Sequence, residues 1–233
     1  MEISVVIPAY NESSVIKGTL ADVQAYLQNW GVSYEIIVVD DGSTDGTARI
    51  VRELSAVELI MNKVNRGKGF SVRRGVLAAR GDLILFMDAD NSTKIIELNH
   101  MRQEIDSYDI VIGSRALSSS RITVRQNVAK VSLGRIGNAL IRFVLGIPFM
   151  DTQCGFKLFR RRTQDIFKVM TLDRWGFDFE LLFLASRERY RIYESAVTWE
   201  NNFDSKVNAL SYFSTFFDMI GVRLRYLLGR YKY

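Results

Sequence analysis

Asp88 and Asp90 close the apolar stretch Leu83–Met87, in the run Phe86-Met87-Asp88-Ala89-Asp90. Side chains two positions apart on an extended chain point the same way, so both carboxylates can reach one divalent cation. A hard cation held by one or two carboxylates keeps open positions for phosphate oxygens. Mg2+ or Mn2+ carries a nucleotide diphosphate in this manner. Asp-x-Asp alone describes a solvated turn equally well, and its weight comes from the elements around it.

Ile3–Ile7 reads as a short β-branched strand stopped by Pro8, and Asn11-Glu12-Ser13 offers capping groups to a helix over Val15–Trp30. Glu35–Val39 is a second strand. The turn Asp40-Asp41-Gly42-Ser43 follows, with Ser43 or Thr44 expected to cap a helix running to about Leu54. Val57–Met61, Leu83–Met87 and Ile110–Ile112 predict further strands, and a helix over Gly67–Ala79 opens at the turn Asn65-Arg66-Gly67-Lys68-Gly69. Strands alternating with helices predict an α/β fold whose mostly parallel sheet is covered on both faces. Ligands of such sheets bind outside the carboxyl ends of the strands. Pro8–Glu12, Asp40-Asp41, Asn65–Gly69, Asp88–Asp90 and Gly113–Arg115 all fall at such ends, so polar segments converge on one crevice.

A chain of 233 residues with 48% hydrophobic side chains can bury the core of one compact domain. Cys154 is the only cysteine, which excludes an intrachain disulfide and fits a reducing compartment. It is expected as a small buried side chain rather than a nucleophile. His100 is the only histidine, so a His-based metal site is excluded. No apolar run reaches the ~18 residues needed to span a bilayer. Met1 leads almost directly into the first strand, and no leader is expected.

The net charge of +5 is unevenly spread. Residues 1–112 hold 11 basic and 16 acidic side chains, whereas residues 113–162 hold ten basic ones against Asp151 alone. A basic segment after an acidic, metal-ready half attracts phosphates or anionic lipid headgroups. Within Val131–Ile147, Arg135, Asn138 and Arg142 share one helical face and Leu133, Ile136, Leu140, Ile141 and Val144 the other. Val207–Leu228 repeats the pattern with Tyr212, Phe213, Phe216, Phe217, Ile220, Leu224 and Leu227. Such helices suit a membrane interface, and equally the domain core. Aliphatic interleaving and the lack of a nucleic-acid module argue against nucleic acid as a partner.

The runs Val5-Val6-Ile7-Pro8-Ala9-Tyr10-Asn11-Glu12, Val38-Val39-Asp40-Asp41-Gly42-Ser43-Thr44-Asp45, Asn65-Arg66-Gly67-Lys68-Gly69 and Asp88-Ala89-Asp90 resemble, in order and spacing, the family-2 glycosyltransferases of GT-A fold. Asp151-Thr152-Gln153-Cys154-Gly155-Phe156-Lys157-Leu158-Phe159 and Arg174-Trp175-Gly176-Phe177-Asp178-Phe179-Glu180-Leu181-Leu182 resemble the dolichyl-phosphate glucosyltransferase branch. The resemblance implies a GT-A domain over residues 1–206, followed by a C-terminal amphipathic helical segment over 207–233. It implies inverting transfer of a sugar, glucose by the branch, from a nucleoside diphosphate sugar to a polyprenyl or dolichyl phosphate. The alternatives are another sugar or a glycan hydroxyl acceptor, and, outside enzymes, a nucleotide-sugar binding protein.

The resemblance also assigns roles. Pro8, Ala9, Tyr10 and Glu12 would line the base and ribose pocket. Asp40 would accept a base N–H with Asp41 in support. Lys68 and Ala89 would lie at the nucleotide, while Asp88 and Asp90 hold Mg2+ or Mn2+, with Ser92 or Asn91 as an added ligand. A phosphate monoester has a second pKa of about 6 and is already a nucleophile near neutrality, so the acceptor needs cations rather than a base. Arg115, Arg125, Arg135 and Lys206 are the candidates. Asp178 would bind sugar hydroxyls or orient those arginines, and would become the base for a hydroxyl acceptor. Asp90, Arg115 and Asp178 form the expected catalytic group. Trp175 is a candidate for the sugar pocket, and Arg160-Arg161-Arg162 reads as a solvated or headgroup patch. The expected location is peripheral, on the cytoplasmic face of a membrane, through the amphipathic stretches or through a membrane-protein partner.

Overall fold

The computed structural model describes residues 1–123, 128–200 and 209–232, with side chains except at 128–133, 135 and 209–214. Arg125 and Lys206 lie outside the described residues, as does the side chain of Arg135. The elements run β1 (Ile3–Ala9), α1 (Ile16–Trp30), β2 (Tyr34–Asp40), α2 (Thr47–Arg52), β3 (Val57–Met61), α3 (Lys68–Ala78), β4 (Leu83–Met87), α4 (Leu98–Glu104), β5 (Ile110–Ser114) and β6 (Arg121–Ile122). They continue with α5 (Val128–Leu145), β7 (Phe156–Arg160), α6 (Asp165–Val169), α7 (Phe177–Arg187), β8 (Ile192–Ala196), β9 (Thr198–Trp199) and α8 (Ala209–Leu227).

Seven strands form one sheet in the order β3-β2-β1-β4-β7-β5-β8. All neighbours are parallel except β7, which runs antiparallel to both β4 and β5. The expected mostly parallel α/β sheet is therefore present, with β7 as an insertion the sequence did not announce. Its consequence is functional. The amino end of β7 meets the carboxyl ends of its neighbours, which brings Gln153 and Gly155 to the crevice edge.

Alternation along the strands divides the core in two. Ile3, Val5 and Ile7 of β1 pack with Leu20, Val23 and Leu27 of α1 and with Leu98 and Met101 of α4. Val6 joins Val72 and Val76 of α3 on the other face, with Phe177, Phe179 and Leu182 of α7 and Met219 and Val222 of α8. In β7 the same alternation turns Phe156 and Leu158 toward the α1 layer, and Phe159 packs in the α7 layer. Lys157 points toward α7, since its ammonium reaches Asp178.

Two capping expectations are corrected. No side chain caps α1; the N–H groups of Val15 and Ile16 donate to the Glu12 carbonyl instead. Neither Ser43 nor Thr44 caps α2, which begins at Thr47. There Asp45 Oδ1 accepts the Thr47 N–H at 2.9 Å, and Ser43 Oγ accepts the N–H of Asn11. These side chains join the loops after β1 and β2 to each other rather than starting helices. In the arginine run, Arg161 and Arg162 are exposed, as expected of a solvated patch, and each side chain also makes a local bond. Arg160 donates to the carbonyls of Ile105 and Tyr108, Arg161 to that of Arg80, and Arg162 pairs with buried Asp109, so the run fastens loops to the sheet edge.

Candidate active site

The carboxyl ends of β1, β4 and β5, the turn after β3 and the amino end of β7 surround one cavity of about 720 Å3. Pro8, Ala9, Tyr10, Glu12, Asp41, Lys68, Asp88, Ala89, Asp90, Arg115, Trp175 and Asp178 all line it, so residues spread over 170 positions meet as the motifs suggested. Its size and mixed lining suit a nucleotide-sized ligand.

Asp88 and Asp90 stand at the end of β4. Asp88 approaches Gly155 so closely that a Cβ there would lie 2.0 Å from the carboxylate; only glycine leaves room. Asp90 Oδ1 accepts the Ser92 N–H at 2.9 Å. Burial and then the neighbouring Asp88 charge push the Asp90 carboxyl above its ordinary value. Lys68 Nζ stands 2.6 Å from Asp88 Oδ1, which is otherwise buried without a hydrogen-bond donor. Ser92 Oγ is also buried without a partner and lines the cavity. Asn91 is not part of the lining; its amide donates to Asp22. Two crowded carboxylates and an unpartnered hydroxyl fit a hard divalent cation. Among the described residues no group of three or more His, Cys, Asp or Glu forms a closed metal cage. The remaining positions would fall to substrate and water.

The two aspartates at the end of β2 differ in their relation to the cavity. Asp40 is 1% exposed and does not line the cavity. One of its oxygens accepts from Ser43 N–H and the other has no partner. Asp41 lines the cavity and shapes the Asn65–Gly69 turn by accepting from the N–H groups of Arg66 and Gly67, at 3.0 and 2.8 Å. It also accepts from Asn62 Nδ2 at 2.7 Å. Gly67, at φ 108°, lets this turn lie against the carbonyl of Asp173, which a Cβ would meet at 2.4 Å.

Arg115 lines the cavity but is not a free cation. Its Nε and a terminal nitrogen grip Asp151 at 2.7 and 2.9 Å, and its backbone N–H donates to the same carboxylate. Burial opposes its charge, yet Asp151 holds its pKa above the ordinary value. The guanidinium also lies 5.5 Å from the Trp199 ring. The 36 positions between Arg115 and Asp151 hid this pairing from the sequence.

Asp178 and Glu180 take different places on α7. Asp178 lines the cavity and accepts from Lys157 Nζ at 2.5 Å. Lys157 is fully buried and also donates to the Cys154 carbonyl. Burial pushes the Asp178 carboxyl up, against the pull of Lys157 and Lys68. Glu180 is buried away from the cavity, where its carboxylate accepts the N–H groups of Thr171 and Leu172 and the hydroxyl of Tyr231. It therefore ties down the loop before α7. Cys154 is buried as expected, and burial pushes its thiol up to about 12. The sequence reading missed Gln153, Arg174 and Trp199 as cavity residues. Gln153 and Arg174 belong to the two motifs flanking β7 and α7, and no other signal marked Trp199.

The profile of glycosyl transferase family 2 matches residues 4–167. A dolichyl-phosphate beta-glucosyltransferase of Dictyostelium discoideum is 36% identical over 99% of this chain and 76% of its own length. Those of Saccharomyces cerevisiae and Homo sapiens are 34% and 32% identical, each over 99% of this chain and 76% and 78% of their own lengths. Among solved structures, mannosyl-3-phosphoglycerate synthase from Rubrobacter xylanophilus superposes with a TM-score of 0.71 at 18% identity, covering 100% of this chain and 76% of its own. Glucosyl-3-phosphoglycerate synthase from Mycobacterium tuberculosis, in complex with Mn2+ and UDP-glucose, superposes with a TM-score of 0.69 at 19% identity, covering 94% of this chain and 79% of its own. The fold is GT-A. The chain belongs to glycosyl transferase family 2, and the protein is a glycosyltransferase.

Proposed function

We propose that the protein transfers glucose from a nucleoside diphosphate sugar to the phosphate of a polyprenyl or dolichyl lipid, inverting the anomeric centre to give a β-linked product. The observation that carries this is the bond between Asp178 and buried Lys157. Asp178 is the carboxylate best placed to act as a base, and its Oδ1 is committed to an ammonium. The acceptor then fits best as a nucleophile that arrives ionised, as a phosphate does. Similarity to dolichyl-phosphate beta-glucosyltransferases supports the same acceptor and sugar.

On this reading Pro8, Ala9, Tyr10, Glu12 and Asp41 hold base and ribose, and Asp40 braces the loop behind them. Asp88 and Asp90, with Ser92, would hold Mg2+ or Mn2+, which when bound neutralises charge on the leaving diphosphate. Lys68 adds a point charge beside that site. Asp178, fixed by Lys157, accepts from sugar hydroxyls and orients the anomeric carbon. Arg115, fixed by Asp151, presents its remaining N–H face to the acceptor phosphate. Arg125, Arg135 and Lys206 remain candidates for the same phosphate.

The same reading keeps a glycosyltransferase domain over 1–206 and a C-terminal amphipathic segment over 207–233, on the domain or on a membrane surface; within it, Met219 and Val222 of α8 pack in the α7 layer. Docking on the cytoplasmic face of a membrane belongs to the same proposal. No helix among the described residues is long and apolar enough to cross a membrane. Support for docking comes from α5 and α8, which touch each other and expose Leu140, Phe143, Phe216, Phe217 and Leu224. A donor panel of UDP-glucose, GDP-mannose, UDP-galactose and UDP-N-acetylglucosamine, with Mg2+ and polyprenyl phosphate in detergent, tests the proposal. Lipid-linked glucose as the main product is expected, and preference for another sugar would overturn the donor assignment.

A further inference from the structure

Three basic side chains among the described residues line the cavity: Lys68, Arg115 and Arg174. Lys68 is paired with Asp88 and Arg115 with Asp151. The Arg174 guanidinium has no acceptor or ion partner among the described residues, although its loop is otherwise fastened throughout. Glu180 accepts the N–H groups of Thr171 and Leu172. Asp173 is held by Arg73 at 2.9 Å, and its carbonyl accepts the Phe70 N–H at 2.9 Å. The Arg174 carbonyl accepts from Phe177 N–H, opening α7. The loop is thus rigid and offers one uncommitted charge to the cavity.

Its position selects a ligand. The Arg174 stem packs on Gly67, where a Cβ would come within 2.9 Å of Cγ. Gly67 adjoins Lys68 and donates its N–H to Asp41. Arg174 therefore stands on the wall shared by Lys68 and the nucleotide loops. Arg115 follows β5, beside Asp151 and Trp199. An uncommitted guanidinium suits phosphate oxygens, which it can engage through two parallel N–H bonds.

We propose that Arg174 binds the diphosphate of the donor, supplying there a cation that no carboxylate holds, whereas Lys68 and Arg115 are paired with Asp88 and Asp151. This rests on the nucleotide-sugar reading above. The test is calorimetric titration of UDP and of GDP, each with Mg2+, into wild type, Arg174→Lys and Arg174→Met. The KM for short-chain polyprenyl phosphate is measured alongside. Arg174 is exposed, so all three proteins should fold. The expected result is roughly tenfold or greater weakening of the bound nucleotide in Arg174→Met, from loss of a charge-assisted contact, with a smaller loss in Arg174→Lys. The acceptor KM should stay within about twofold of wild type, because the contact is to the donor. Equal nucleotide affinity in wild type and Arg174→Met would overturn the proposal, and a raised acceptor KM beside it would move Arg174 to the acceptor. If wild type bound neither nucleotide, the donor reading itself would fall.

Discussion

Lys157 Nζ lies 2.5 Å from Asp178 Oδ1; both side chains are buried, Asp178 in the cavity lining and Lys157 outside it. Removing one member of a buried ion pair strands the other charge in a medium that solvates it poorly. Lys157→Met is expected to destabilise the protein by about 3–5 kcal/mol in urea unfolding. Adding Asp178→Asn should restore much of that loss, since no buried charge then stands alone. Equal instability in the single and double variants would show that the two groups are not coupled.

Gly155 exists for the sake of Asp88. A Cβ at 155 would meet the Asp88 carboxylate at 2.0 Å, so Gly155→Ala must displace a proposed metal ligand. Mn2+ affinity in the presence of nucleotide should fall at least tenfold by spectroscopic titration, in line with misplacing a ligand or its support. Unchanged Mn2+ affinity would remove Asp88 from the metal site.

Phe143 is 86% exposed on α5 and Phe217 69% exposed on α8, so neither packs in the core. Phe143→Glu combined with Phe217→Glu should reduce co-flotation with anionic vesicles while leaving transfer to a detergent-solubilised acceptor intact. Full flotation of the double variant would move lipid binding to another surface of the protein.

Asp45 links the nucleotide loops. Burial would raise its carboxyl, but hydrogen bonds from Thr47 and Ser13 outweigh this and bring it to about 2 from 3.8. A depressed pKa stabilises the fold fully above the unfolded value, and the contribution is lost as pH falls through the folded one. Wild type should therefore exceed Asp45→Asn in thermal stability at pH 5 and above, the gap closing as pH falls from 3.8 toward 2. A gap independent of pH would mean that the carboxylate charge is not what stabilises the loops.

The strands that carry the donor motifs were legible because each is a short apolar run ended by polar turn residues: β1 before Pro8, β2 before the Asp40-Asp41 turn, β4 before Asp88. β7 was not, because Lys157 interrupts its apolar residues. A charged residue in a buried strand breaks the hydrophobic run, and only the tertiary partner Asp178 explains it. The same limit applied at Arg115. Residue type suggested a free phosphate-binding cation, whereas Asp151, distant in sequence, already holds it. Arg174 was visible as part of a motif, but its distinction is the absence of a partner among the described residues, which no sequence displays. Helix caps failed for a related reason: the Ser43 and Thr44 hydroxyls serve Asn11, 32 and 33 positions away.

The most direct measurement compares polyprenyl phosphate with the corresponding polyprenol as acceptors for UDP-glucose, in wild type and Asp178→Asn, with Mg2+ present. The account predicts transfer to the phosphate alone, with Asp178→Asn slowed but keeping the wild-type pH dependence, since no proton needs to be removed from the acceptor. Transfer to the alcohol, lost in Asp178→Asn, would contradict it and make Asp178 the general base.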